Sequence, residues 1–83
     1  MQLAQLGKID EAYNIFCLFS DKMSPSTQYS ALINMATLKF QKGSPEEALT
    51  FLNQAISIDP YSYLAYYNKF VIYYTQAYFS TRP

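Results

Sequence analysis

The chain has 83 residues, so it is one small domain that buries only about 60% of the surface of its unfolded form. It is 51% hydrophobic and 18% aromatic but only 14% charged, against about 25% charged residues in an average soluble domain. Six basic and six acidic residues give zero net charge, which excludes long-range attraction of nucleic acid, acidic lipid or charged substrates.

The first segment predicts a helix from about Ile9 to Asp21, entered after Gly7, with residues 1–6 as the tail of an earlier helix. The start MQLAQLGKIDEA has no basic stretch followed by an apolar core of 7–15 residues, so we do not expect it to be a secretory signal. We expect an intracellular protein in the cytoplasm. The single cysteine, Cys17, cannot close an internal disulfide and is expected to be a small buried side chain.

Two further helices follow, each beginning with a serine and a proline. The first is predicted from about Pro25 or Ser26 to Lys42 and the second from Pro45 to Ile58, where apolar residues recur with the 3.6-residue period of a helix. Ser44 and Glu47 are spaced for a reciprocal side-chain cap at the start of the second of these helices. Because proline cannot continue a helix, Pro60 is expected to form the hinge into the next one.

The last helix is predicted from Tyr61 to Phe79, with aromatic rings on every side. A helix that is apolar all round is normally covered all round, and tyrosine suits protein interfaces. We therefore expect this helix to be buried against a partner protein or another copy of the chain. Its densest apolar run, YLAYYNKFVIYY, is too short for the roughly 20 apolar residues of a membrane-spanning helix.

The segments repeat along the chain. An offset of 36 residues superimposes Gly7 on Gly43, and an offset of 34 superimposes Asn34 on Asn68. Connections of two to five residues between helices force antiparallel hairpins. The sequence therefore predicts an all-α fold of antiparallel helix hairpins stacked as a short solenoid.

These features resemble the tetratricopeptide repeat, a helix-turn-helix unit of about 34 residues. The resemblance divides the single domain of residues 1–83 into a partial repeat at 1–26, a complete repeat at 27–60, and the first helix of a further repeat at 61–83. The complete repeat carries the family's characteristic apolar, amide, small, turn and proline residues at Leu32, Asn34, Ala36, Gly43, Ala48, Leu52, Ala55 and Pro60.

Two positions depart from the family pattern. Phe19 and Phe70 stand where the family has a small residue that lets the partner helix dock. We expect Phe70 to fill the space of a missing second helix, or the chain to be a piece of a longer repeat protein.

The resemblance implies a protein-interaction scaffold that binds a partner peptide or helix on the concave wall formed by the first helix of each repeat. Asn34 and Asn68 are favoured, because each amide can donate to and accept from a peptide backbone. The family's lysine clamp for acidic chaperone tails is absent, since Ile33 and Tyr67 stand at its positions. The predicted partner-binding residues are Ile33, Asn34, Thr37, Gln41, Tyr67, Asn68, Val71 and Thr75.

The residue types argue against an enzyme. The chain has no histidine, one cysteine and two glycines, so it lacks the parts of the common metal sites, catalytic triads and phosphate loops, and we expect no cofactor. The carboxylate pairs Asp10-Glu11 and Glu46-Glu47 are each expected in the first turn of a helix.

Two alternatives stay open. The incomplete end repeats would allow the chain to assemble with copies of itself as a structural subunit of a larger complex. A pentatricopeptide-like RNA-binding module is disfavoured, because zero net charge supplies no basic surface for phosphates.

Overall fold

The computed structural model describes residues 3–80, and within that range every regular element is a helix. The α-helices are α1 (Leu3–Phe19), α2 (Pro25–Gln41), α3 (Pro45–Ile58) and α4 (Tyr63–Ser80), with a short 3-10 helix at Ser20–Lys22 after α1. The all-α prediction of stacked helix hairpins is confirmed. The predicted bounds of α2 and α3 agree with the structure to within one residue, and α4 begins two residues later than predicted.

The start of the chain differs from the prediction. Helix α1 runs from Leu3 through Gly7 to Phe19, so Gly7 marks no helix entry, and Asp10 and Glu11 lie in the middle of the helix rather than in its first turn. A glycine costs a helix only about 1 kcal/mol relative to alanine, which its neighbours can offset. The predicted tail of an earlier helix is wrong for residues 3–6, and Met1 and Gln2 lie outside the described residues.

Local hydrogen bonds fix the ends of α2. The Ser24 hydroxyl accepts from the Thr27 amide at 3.3 Å, and Pro25 occupies the first turn, where no amide donor is needed. At the other end, the amides of Gly43 and Ser44 donate to the carbonyls of Phe40 (3.0 Å) and Lys39 (2.9 Å). Gly43 adopts φ +89°, as this type of helix termination requires.

The ends of helix α3 lack the hydrogen bonds that fix the ends of α2. The Ser44 side chain makes no capping hydrogen bond, so the predicted reciprocal cap with Glu47 is wrong, although Glu46 and Glu47 do lie in the first turn. At the end of α3, the Tyr61 amide donates to the Asp59 carboxylate at 3.2 Å, and this turn contains Pro60. The turn carries the chain directly into α4.

Helices α2 and α3 share the largest interface, and α3 in turn packs on α4. Three small side chains of these two helices lie in the core: Ala36 of α2 and Ala48 and Ala55 of α3 are at most 1% exposed. Because they have no γ-carbons, the helix backbones can approach closely. The rest of the core cluster consists of Leu32, Ile33, Met35, Phe51, Leu52, Ala65 and Ile72.

The molecule is extended and flat, measuring 48 × 34 × 13 Å. Its radius of gyration is 13.5 Å, above the roughly 12 Å of a compact domain of this length. This shape is that of a side-by-side helix stack, which leaves long helix faces on the surface.

Candidate protein-binding surfaces

A cleft of about 320 Å³ opens between α2 and α4, within the size range of ligand sites. We call it the α2–α4 cleft. Ala36, Leu52 and Ile72, all at most 2% exposed, contribute its apolar floor. Its walls and rim are formed by Thr37, Phe40, Gln41, Tyr67, Asn68 and Val71.

The polar groups of this cleft are neutral. The Thr37 hydroxyl donates to the Ile33 carbonyl at 3.0 Å, which orients the side chain and leaves its oxygen able to accept. The nearby Lys69 ammonium instead donates to Asn53 on α3 at 3.0 Å. The cleft therefore suits a backbone or an apolar side chain better than a carboxylate.

Five of the eight predicted partner-binding residues meet in this cleft, and three lie elsewhere. Ile33 is a core residue with 7% exposure, so its side chain offers a partner little surface. Thr75 is half-buried on α4, one turn beyond Val71. Asn34 lies in a different cleft, so the two favoured asparagines do not act on one site.

That second cleft, between α1 and α2, measures about 350 Å³ and is almost entirely apolar. It repeats the first: Asn34 and Leu38 precede Asn68 and Ile72 by 34 residues, and Phe16 precedes Leu52 by 36. The internal repeat thus generates two related clefts. The lining of the second is Ala12, Ile15, Phe16, Met23, Ala31, Asn34, Met35 and Leu38.

Charged side chains gather on another side of the stack. The Lys39 ammonium lies 3.5 Å from a carboxylate oxygen of Asp10 and 3.5 Å from one of Glu47, so it links α2 to α1 and α3. Burial lowers the pKa of the neighbouring Lys42, the Lys39 charge lowers it further, and Asp10 opposes both. This arrangement is an ion-pair network between helices. Residues 3–80 contain no group of three His, Cys, Asp or Glu side chains that could hold a metal.

Helix α4 presents its aromatic residues to solvent. Phe70 is 63% exposed and stacks on Tyr74 with ring centroids 5.8 Å apart. The expectation that Phe70 fills space within the chain is therefore wrong, and the Phe19 side chain is also half exposed. Cys17 is exposed as well, contrary to prediction. The other strongly exposed aromatic residues of α4 are Tyr63, Tyr66, Tyr67, Tyr73, Tyr78 and Phe79.

These features define a helical-repeat protein whose prominent surface sites are clefts between helices and an exposed aromatic face. The chain belongs to the coatomer epsilon subunit family, whose sequence pattern it matches over residues 1–77. No curated protein and no solved structure matches it significantly. None of the helices within residues 3–80 has the length and hydropathy needed to cross a membrane.

Proposed function

We propose that this chain is a non-catalytic subunit of a coatomer-type coat complex and that it holds a segment of another subunit in the α2–α4 cleft. The family match over residues 1–77 supports the assignment as a coat-complex subunit, because the family is one of coatomer subunits. Such a role would put the protein in the cytoplasm.

The residues that line the α2–α4 cleft support the proposal that it binds a segment of another subunit. Its apolar floor can receive one large apolar side chain, while Thr37, Gln41 and Asn68 can bond the backbone on either side of it. The half-buried Asn68 is the central contact, since its amide can both donate and accept. Tyr67 and Val71 add apolar contact area at the rim.

The type of repeat bears on this proposal. The buried alanines of α2 and α3 and the 34-residue offset support a tetratricopeptide-like unit, and such units bind extended protein segments. The zero net charge supports a protein partner over RNA.

Both the subunit assignment and the role of the α2–α4 cleft can be tested by binding to coatomer that is reconstituted without its own epsilon subunit. The immobilised chain should bind this assembly, and Asn68→Ala should weaken binding about tenfold, because it leaves a partner backbone group unpaired. Asn14→Ala, on the exposed surface of α1, is the matched control and should leave binding unchanged.

The experiment distinguishes a wrong subunit assignment from a wrong binding site. If the chain does not bind the assembly, the assignment as a coat subunit is wrong. If it binds and Asn68→Ala binds equally well, the subunit assignment stands and the α2–α4 cleft is not the site.

A further inference from the structure

A small pocket of about 190 Å³ lies at the corner where α1, the last turn of α2 and the start of α3 meet. We call it the corner pocket. It shares no lining residue with the α2–α4 cleft. Its volume is below that of most small-molecule sites and suits the end of a single side chain. The lining consists of Asp10, Tyr13, Lys39, Glu47, Thr50 and Phe51.

Two aromatic rings form the apolar wall of the corner pocket. Tyr13 of α1 and Phe51 of α3 contact each other with ring centroids 5.2 Å apart and ring planes inclined by 60°. Phe51 is only 7% exposed, whereas Tyr13 is half-buried and offers more of its ring. The face of an aromatic ring attracts cations, and the planar, weakly hydrated guanidinium of arginine stacks on it especially well.

The carboxylates of the pocket are only partly neutralised. Asp10 and Glu47 share the single ammonium of Lys39, so the lining has a net charge of −1. The Lys39 nitrogen lies 3.5 Å from each carboxylate, beyond the roughly 2.7–2.9 Å of a charge-assisted hydrogen bond. The buried Lys42 ammonium has no hydrogen-bond partner and lies outside the lining, so it binds neither carboxylate. Both carboxylates therefore keep oxygens that can accept from a second cation.

The distances between these acceptors fit a guanidinium. Since one oxygen of Asp10 and one of Glu47 lie 3.5 Å from the same nitrogen, they are at most about 7 Å apart. A guanidinium presents its N–H donors in a rigid planar fork, so it can donate to both carboxylates at once, whereas an ammonium is a compact point charge. The Thr50 hydroxyl donates to the Glu46 carbonyl at 3.1 Å, which leaves its oxygen as a further acceptor.

We infer that the corner pocket binds the guanidinium of an arginine side chain that a partner protein presents. The guanidinium stacks on Tyr13 and donates to Asp10 and Glu47, and its positive charge neutralises the lining. The inference goes beyond the proposed function, because the α2–α4 cleft has neutral polar groups and suits a neutral segment, whereas this pocket selects a basic one.

An NMR titration of the isotope-labelled 83-residue chain with N-acetyl-arginine amide tests the site. The backbone amides of Tyr13 and Phe51 should shift along a saturating curve with a Kd of about 1–10 mM, because a single exposed ion pair contributes little. N-acetyl-citrulline amide has nearly the same shape without the charge and should bind at least about tenfold more weakly. N-acetyl-lysine amide should bind at least about threefold more weakly, because it cannot bridge both carboxylates.

Each carboxylate of the pocket has a matched control beside it in the sequence. Asp10→Asn and Glu47→Gln should each raise the Kd of the arginine probe at least about threefold. Glu11→Gln and Glu46→Gln should each leave the Kd within about twofold, because these two side chains do not line the pocket. All four variants remove one negative charge, so a change in overall charge affects them equally. Circular dichroism should show the same helix content in every variant.

The inference would be overturned if the shifts did not saturate below about 100 mM of the arginine probe. Equal affinity for the citrulline or lysine probe would also overturn it, since the pocket would then not recognise a guanidinium. Equal losses in the pocket variants and their controls would show attraction by overall charge only. The titration contains no coatomer and does not involve Asn68, so its outcome is independent of the binding test of the proposed function.

Discussion

The Tyr29 hydroxyl hydrogen-bonds the Ser62 hydroxyl and so joins the second turn of α2 to the hinge that precedes α4. This bond spans a separation of 33 residues along the chain. Helices α2 and α4 form the two walls of the α2–α4 cleft but touch each other much less than either touches α3. The Tyr29–Ser62 bond therefore helps to set the angle at which the cleft opens.

Replacing Tyr29 by phenylalanine should lower the free energy of unfolding by about 0.5–1.5 kcal/mol, the net worth of one hydrogen bond. The ring stays, so packing is preserved and the loss reports the hydroxyl. Urea denaturation measures it. Tyr61→Phe, with its ring 95% exposed, is the matched control and should be neutral. Equal effects of the two variants would show that the Tyr29–Ser62 bond contributes nothing.

The close approach of α2 and α3 predicts a strong effect of enlarging Ala48, which is 0% exposed at their interface. Ala48→Leu should destabilise the fold by about 1–3 kcal/mol, because the added atoms force the helices apart. Gln54→Leu adds the same side chain at an exposed position of the same helix and controls for helix propensity. Thermal unfolding that is unchanged by Ala48→Leu would contradict the close packing of the hairpin.

The ion-pair network predicts a modest effect at Lys39. Lys39→Met keeps the length of the side chain but removes the charge, and it should cost less than about 1 kcal/mol, because Asp10 and Glu47 are largely exposed. The loss should shrink as salt is added. Lys22→Met, at an exposed position after α1, should be neutral.

The same Lys39→Met substitution has a second readout at Lys42. Since the Lys39 charge lowers the pKa of Lys42, its removal should raise that pKa, as an NMR titration of the Lys42 side chain can measure. A lower or unchanged pKa would mean that the two ammonium groups do not interact.

Much of the fold could be predicted because its strongest signals are local. Pro25, Gly43, Pro45 and Pro60 each remove a helical hydrogen bond or favour a special backbone angle, and the helix ends follow from them. Gly7 misled the prediction, because a glycine within a helix and a glycine at its end look alike in sequence. Only the surrounding packing distinguishes the two.

The surfaces were harder to predict, because exposure depends on which helices are neighbours. The 34-residue repeat correctly related Asn34 to Asn68, but it could not tell that each lies in its own cleft. Helical spacing alone did not show that Ile33 faces the core and that Phe70 faces solvent. The rings on every side of α4 led to the prediction that a partner protein or another copy of the chain buries this helix, and that prediction stays open, because residues 3–80 leave most of these rings exposed.

The two glycines should respond to alanine with opposite signs. At Gly43 the backbone has φ +89°, and a Cβ there would meet nothing within 4 Å, so Gly43→Ala should cost about 1–2 kcal/mol purely through the left-handed backbone. At Gly7 the backbone is helical within α1, so Gly7→Ala should stabilise by about 0.5–1 kcal/mol.

Each variant controls for the other, because both add the same methyl group. Urea denaturation gives the two free-energy changes, and circular dichroism at low denaturant follows the helix content. If Gly7→Ala destabilised the protein as much as Gly43→Ala, residue 7 would terminate a helix as the internal repeat suggests. A stabilised Gly7→Ala variant instead agrees with the continuous α1, because alanine is favoured over glycine in a helical backbone and disfavoured at a left-handed helix end.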